Sequence, residues 1–395
     1  MTDLPQGWRE VALKDLAESG AFFDGDWVES EDQDPNGDVR LVQLADVGEG
    51  VYRFRSDRWL RTDQAAGIGV SYLEQGDLLI ARMPDPMGRC CQVPSLPTKS
   101  ITAVDVAVLR LRRSDANTDF VMWQINSPET RASIAALASG TTRQRVSRKN
   151  LGGVAMLLPP LAEQERIVEI LEEQFSRLDS ALASVKAVRE KAKEFRRSLL
   201  HSAFSGELTG GTQGWREVAL GEVADVGWGD LSITKKSYVQ EGYTAFSATG
   251  PDGKLPYFDY DQTGIVVSAI GAQCGKVFLA TGRWSCIKNT MRILPSSDDA
   301  SIKYLFQLLN TDFLPKRGSG QPFIGQKDAR EALVALPPLA EQERIVEILE
   351  EQFSRLDKAL EVANQLEARI ASERRSLLHS AFTGALTATW RQNND

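Results

Sequence analysis

Four cysteines and two histidines among 395 residues leave little material for thiol or metal chemistry. Cys90, Cys91, Cys274 and Cys286 lack the spacing of a structural zinc site, and the adjacent pair Cys90-Cys91 predicts reduced thiols rather than a disulfide framework. Histidine, the usual general base, occurs only at His201 and His379, each inside Leu-Leu-His-Ser-Ala-Phe, where packing or capping near a helix end is the expected role. There is no apolar run of about 18 residues and no secretory h-region, which predicts no membrane partner and a cytoplasmic location.

Catalytic signatures are missing as well. No G-x-G-x-x-G follows a strand, and there is no G-x-x-x-x-G-K-[ST] phosphate loop, H-E-x-x-H or G-x-S-x-G. Asp85-Pro86-Met87-Gly88 lacks the second proline and the aromatic of an amino-methyltransferase motif, so a proline-shaped turn is expected. Glu190-Lys191-Ala192-Lys193 has no neighbouring acidic ligands and reads as a solvated helix face. The chain is therefore expected to be no enzyme by itself.

Excess positive charge is a further absence, since the net charge is -8. Nucleic-acid binding draws on Lys and Arg, so the total speaks against it, while the distribution speaks for it. Asp24, Asp26, Glu29, Glu31, Asp32, Asp34 and Asp38 form one acidic stretch, read as a solvated loop. Arg110, Arg112, Arg113, Arg131, Arg143, Arg145, Arg148 and Lys149 then outnumber Asp115, Asp119 and Glu129 over the following basic stretch. With 42% hydrophobic and 25% charged residues, the composition is that of a soluble globular protein of two to three domains.

What is present is a duplication. The 22 residues from Leu158 to Asp179 recur unchanged at Leu336 to Asp357, and Arg196-Arg-Ser-Leu-Leu-His-Ser-Ala-Phe204 returns at Arg374 to Phe382 with the same 178-residue offset. Gly7-Trp-Arg-Glu-Val-Ala-Leu13 returns at Gly214 to Leu220. Packing a helix requires only its apolar stripe. Yet the outward candidates Glu163, Gln164, Glu165 and Arg166 match Glu341, Gln342, Glu343 and Arg344, and Glu172, Glu173 and Arg177 match Glu350, Glu351 and Arg355. Either the duplication is recent, or two identical surfaces dock two copies of one partner; the drift of the intervening segments favours docking.

Residues 1–157 and 211–335 read as divergent copies of one mixed α/β unit, with strands at Asp77 to Arg82 and Val104 to Arg110 in the first and Gly264 to Ala269 in the second. Residues 158–210 and 336–395 read as helical. Proline pairs open each helix, and apolar residues recur at heptad spacing: Leu171, Leu178, Val185, Ala192 and Leu199, then Leu349, Leu356, Ala363, Ile370 and Leu377. Partial second seams, Phe175 with Leu182 and Phe353 with Leu360, complete a coiled-coil signature, and the helices are expected to end near Gly206 and Gly384. Each would be roughly 60 Å long. The predicted fold class is α+β: two mixed α/β domains and two long helices paired as an antiparallel coiled coil, in a pseudo-twofold circular arrangement that the Trp390-Arg391 echo of Trp215-Arg216 supports.

The stretch from Gly140 to Asn150 aligns with Gly318 to Asp328, and such segments offer Gln or Arg to base edges and Lys to phosphates. Charge and alignment single out Arg82, Arg89, Arg143, Gln144, Arg145, Lys149, Lys276, Lys288, Arg292, Gln321 and Lys327 as DNA-binding candidates.

The doubled Leu-Pro-Pro-Leu-Ala-Glu-Gln-Glu-Arg-Ile-Val, the Gly-x-x-x-x-x-Ile/Val-x-x-Lys before each copy and the Arg-Arg-Ser-Leu-Leu-x-x-Ala-Phe-x-Gly endings resemble the specificity subunit of type I restriction-modification enzymes. The resemblance covers essentially the whole chain. It implies two target recognition domains, each reading half of a bipartite double-stranded DNA site, with the helices as a ruler. It also implies two modification (methyltransferase) subunits docked on the helices and restriction subunits joining them. Those partners would use S-adenosylmethionine, ATP and magnesium for adenine methylation, translocation and cleavage, and this chain would bind no cofactor. The competing expectation is an adaptor that assembles two copies of an unrelated partner through the same helices.

Overall fold

The computed structural model describes residues 4–84, 86–111 and 114–394; Asp85 of the predicted turn and Arg112 and Arg113 of the basic stretch lie outside the described residues. The chain divides into two units, Met1–Ser184 with Leu366–Asp395, and Val185–Gln365.

In the first unit, Arg9–Ala12 pairs antiparallel with Ala155–Leu158 and so closes the globular part. A four-stranded antiparallel sheet runs Ala17–Asp24, Val106–Leu111, Leu78–Ala81, Cys90–Gln92. A three-stranded sheet runs Trp59–Leu60, Val39–Val42, Ser100–Thr102, the last pair parallel. The apolar Leu-Leu-Ile-Ala and Val-Ala-Val-Leu runs follow from burial on both sheet faces. Leu78, Ile80, Ala107 and Leu109 face a core shared with Phe120, Ile125, Leu171 and Phe382, whereas Leu79, Ala81, Val106 and Val108 face a second core with Val42 and Cys91. Asn117 and Ser127 cap the helices Thr118–Ile125 and Pro128–Ala136 by accepting from Phe120 N and Thr130 N.

The second unit repeats this plan. Arg216–Ala219 pairs with Leu333–Leu336, and one sheet runs Ala224–Trp228, Thr290–Pro295, Gly264–Ser268, Val277–Ala280. Its second sheet runs Gly250–Leu255, Tyr243–Ser247, Arg283–Cys286, Tyr260–Asp261, again with one parallel pair. The sequence alignment of the strands holds bond by bond. Gly88 N donates to Ala81 O (2.9 Å) and Ala81 N to Arg89 O (2.8 Å); Gly275 N donates to Ser268 O and Ser268 N to Lys276 O (both 2.8 Å).

The predicted helices are Leu161–Phe204 and Leu339–Phe382, 44 residues each. Their heptad positions are buried or half-buried, with Leu171 and Leu349 fully enclosed. They run antiparallel within each unit. In the first, Arg374 pairs with Asp179 (2.7 Å) and stacks on Phe175; in the second, Arg196 approaches Asp357 (3.9 Å) and stacks on Phe353. Left-handed Gly206 and Gly384 follow two residues after each helix.

Two expectations change. His201 and His379 lie in the last helical turns as expected but are exposed, which removes the packing half of their expected role, and His379 Nδ1 meets Glu129 Oε1 at 2.5 Å. The acidic stretch is also more than a solvated loop, because its carboxylates pin neighbouring chain: Asp38 accepts from Thr62 N and Oγ1, and Asp26 from Ser71 N.

Candidate nucleic-acid interface and repeated helix ends

The first turn of each long helix turns inward. Gln164, wholly buried, accepts from Asn117 N (2.8 Å) and donates to Pro159 O (2.8 Å) and Asp115 O (3.3 Å). Gln342 repeats this with Ser301 N, Pro337 O and Asp299 O, each at 2.8 Å. Glu163 is 1% exposed and accepts from Trp8 Nε1 (3.0 Å), Thr387 Oγ1 (2.6 Å) and Arg391 Nη1. Glu341, half-buried, accepts from Thr209 Oγ1 at 2.5 Å. The sequence pattern offered Glu163, Gln164 and Gln342 as docking residues; buried and bonded inward, they are not available for docking. The identity of Gln164 and Gln342 follows from backbone groups that an amide of this length satisfies, and Glu163 and Glu341 each accept from a threonine hydroxyl, Thr387 and Thr209.

Arg391 also donates to Gly384 O (2.6 Å) and lies over the Trp8 ring, so the chain's end meets its beginning inside the first unit. At the position 178 residues before Arg391 the second copy has Gln213, and Trp215 Nε1 is buried without a hydrogen-bond partner among the described residues. Sequence reasoning missed Thr387, met Trp8 only within the Gly7–Leu13 repeat and met Arg391 only through the Trp-Arg echo.

Of the docking candidates, Glu165, Glu343 and Arg344 remain exposed, and Arg166 is half-buried and pairs with Glu169. Glu172, Glu173, Arg177 and their counterparts Glu350, Glu351 and Arg355 are exposed too.

The DNA-binding candidates divide into two groups. Arg82 is a buried structural group at 5% exposure: its Nε donates to Val146 O (3.0 Å), its Nη1 to Val104 O (3.1 Å), and Asp24 pairs with it. Arg145 donates to Val104 O (2.7 Å), Arg89 to Leu44 O (3.1 Å), and Arg292 pairs with Asp225 (2.6 Å) beneath Tyr260. These four hold the fold. Much of the basic stretch is neutralised in the same way, Arg110 by Asp77 and Glu74, and Arg131 by Glu49. Arg143, Gln144, Lys149, Lys276, Lys288, Gln321 and Lys327 are exposed; of these, Lys327 approaches Glu331 at 3.8 Å.

Arg143, Gln144 and Gln321 sit on matched loops. Ser139 and Arg145 exchange backbone bonds (3.0 and 2.9 Å), as do Arg317 and Phe323 (2.8 and 2.9 Å). Gly140 and Gly318 open the loops at φ +104° and +86°, where an added Cβ would meet Arg143 O at 2.5 Å and Gln321 O at 2.6 Å. The backbone is shared, while Thr-Thr-Arg-Gln in one loop corresponds to Ser-Gly-Gln-Pro in the other.

The sequence model of the type I restriction modification DNA specificity domain matches residues 5–182 and 212–371. The chain belongs to the type I restriction modification DNA specificity family. It is similar to the type I restriction enzyme EcoDI specificity subunit of Escherichia coli, at 25% identity over 70% of this chain and 72% of that one. The EcoKI specificity subunit of Escherichia coli strain K12 is 26% identical over 70% and 67%. Among solved structures, a chain from work on complex assembly and conformational transition of the type I R-M system matches with a TM-score of 0.80 at 20% identity, over 98% of this chain and all of that one. The HsdS subunit from Thermoanaerobacter tengcongensis matches at 0.57 and 20% identity, over 97% and 98%. These likenesses establish the specificity-subunit fold expected from the doubled motif: two mixed α/β domains with long paired helices.

Proposed function

We propose that this chain is the sequence-specific DNA-recognition subunit of a type I restriction-modification complex, each globular domain reading one half of a bipartite, asymmetric site. The observation that carries this reading is the pair of loops with one backbone and unlike side chains, 139–145 and 317–323. A shared frame presents two readers to DNA in equivalent ways, and different side chains read different bases. The length of the helices sets the gap between half-sites. Catalysis belongs to the partners: modification subunits would bring S-adenosylmethionine, and restriction subunits ATP and magnesium. No helix among the described residues is long and apolar enough to cross a membrane, and the complex would act on cytoplasmic DNA.

Methylome sequencing tests this. A host expressing the chain with its modification subunit should gain a methyladenine motif of two unlike half-sites at a fixed gap. A stable complex without a new motif would favour an adaptor role.

The two modification subunits would dock on the exposed repeated positions around Glu165 and Glu343. Native mass spectrometry should find two partner copies on the wild type, one on Glu165→Lys or Glu343→Lys, and none on the double variant. Exposed charges of this kind contribute less than about 1 kcal/mol to stability, so the melting temperature should hardly move. Unchanged stoichiometry in the double variant would place docking elsewhere.

A further inference from the structure

Between the strands Val39–Val42 and Trp59–Leu60 the chain reads Val51-Tyr52-Arg53-Phe54-Arg55-Ser56-Asp57-Arg58, basic residues interleaved with aromatics. A buried carboxylate shapes this segment. Asp46, fully enclosed, accepts from Arg55 N (2.8 Å), Ser56 N (2.9 Å), Gln43 N (2.8 Å) and Arg40 Nη2 (3.0 Å). Arg40 in turn donates to Ser56 O (3.0 Å), and its guanidinium lies 5.0 Å from the centre of the Phe54 ring.

These bonds leave Phe54 62% exposed instead of folding it into the core. Arg55 and Arg58 are exposed beside it, with no ion pair among the described residues, whereas Arg61, Arg110 and Arg131 of the same unit each have a carboxylate partner. In a chain of net charge -8, a pre-shaped surface with unpaired arginines around a standing aromatic ring is complementary to a polyanion with stacked bases. The second unit has no such segment. There Tyr243–Ser247 and Gly250–Leu255 are joined by Ala248-Thr249, held by Asp252 through Ser247 Oγ (2.7 Å), Tyr238 OH (2.9 Å) and Lys235 Nζ (2.5 Å).

We propose that residues 51–58 form a DNA-contacting loop peculiar to the first unit, with Phe54 packing against bases and Arg55 and Arg58 held on phosphates. The inference rests on the DNA-recognition reading and adds contact residues to it. Phe54 supplies apolar contact at one base-pair position, so it contributes to specificity. The two arginines contribute sequence-independent affinity.

The test uses the complex assembled with its modification subunits and duplexes selected by the wild-type complex from a random pool. Phe54→Ala should weaken binding to the selected duplex by about tenfold and relax preference at one position. Its affinity for unselected DNA should be unchanged. Arg55→Ala and Arg58→Ala should weaken selected and unselected duplexes alike, each lowering the slope of log affinity against log salt by about 1. Wild-type affinity and slope in all three variants would overturn the proposal while leaving DNA recognition intact. Loss of modification subunits from the complex would overturn it in favour of a protein-docking loop. Failure of the wild type to select any duplex would instead remove the DNA-recognition reading.

Discussion

Replacing Asp46 by alanine is expected to destabilise the first unit by about 3 to 5 kcal/mol, because it strips the partner from a buried arginine. Arg40 is 6% exposed, and without the carboxylate its charge would lie buried beside the Tyr52 and Phe54 rings with, among the described residues, Ser56 O and Tyr52 OH to accept from it. Gln43 N, Arg55 N and Ser56 N lose an acceptor at the same time. Hydrogen exchange followed by mass spectrometry reads the outcome by segment. Protection should fall across Val39–Val42, Trp59–Leu60 and Ser100–Thr102, with Tyr243–Ser247 and Arg283–Cys286 of the second unit unaffected. Equal loss in both units would mean that Asp46 does not act locally.

The second large effect concerns the buried glutamines. Gln164→Leu keeps roughly the volume and removes three hydrogen bonds, leaving Asn117 N and Pro159 O without their side-chain partner in a closed site. Each orphaned buried group costs about 1 to 3 kcal/mol, so a loss of about 2 to 5 kcal/mol is expected. Gln342→Leu should cost the same in the second unit, since its three bonds reproduce the set. Denaturant unfolding of both single variants checks this. By contrast, Glu165→Leu, one residue along and exposed, should move stability by less than about 0.5 kcal/mol. If Gln164→Leu proved as mild, the repeat at this position would need another explanation.

Much of the architecture was legible in the residues. The heptads from Leu171 to Leu199 and from Leu349 to Leu377 follow helical period alone, and each helix begins after its proline pair and ends two residues short of its glycine. The correspondence of Leu78–Ala81 with Gly264–Ser268 was readable because strands buried on both faces must be apolar throughout. The candidate site was only partly legible. Arg82 and Arg143 look alike in a charge pattern, and their difference depends on Asp24, Val104 and Val146, which lie far from Arg82 in sequence.

Phe54 illustrates the same limit. Its aromatic character predicts burial, whereas the Asp46 hydrogen bonds to Arg55 N and Ser56 N, with Arg40 and Tyr52 against the ring, hold it at the surface.

The sequence by itself determined that the chain is built twice, that long helices follow each globular half, and to which family it belongs, because periodicity and repetition are properties of neighbours along the chain. Tertiary structure alone decided which identical polar residues face inward. Glu163 and Gln164 sit on a turn that any helical pattern would expose; Glu163 is tied down by Trp8 and Thr387, 155 and 224 residues away, and Gln164 by Asn117 and Asp115, 47 and 49 residues away. Whether a polar side chain is a surface or a strut depends on what covers it, and the covering groups come from distant parts of the chain.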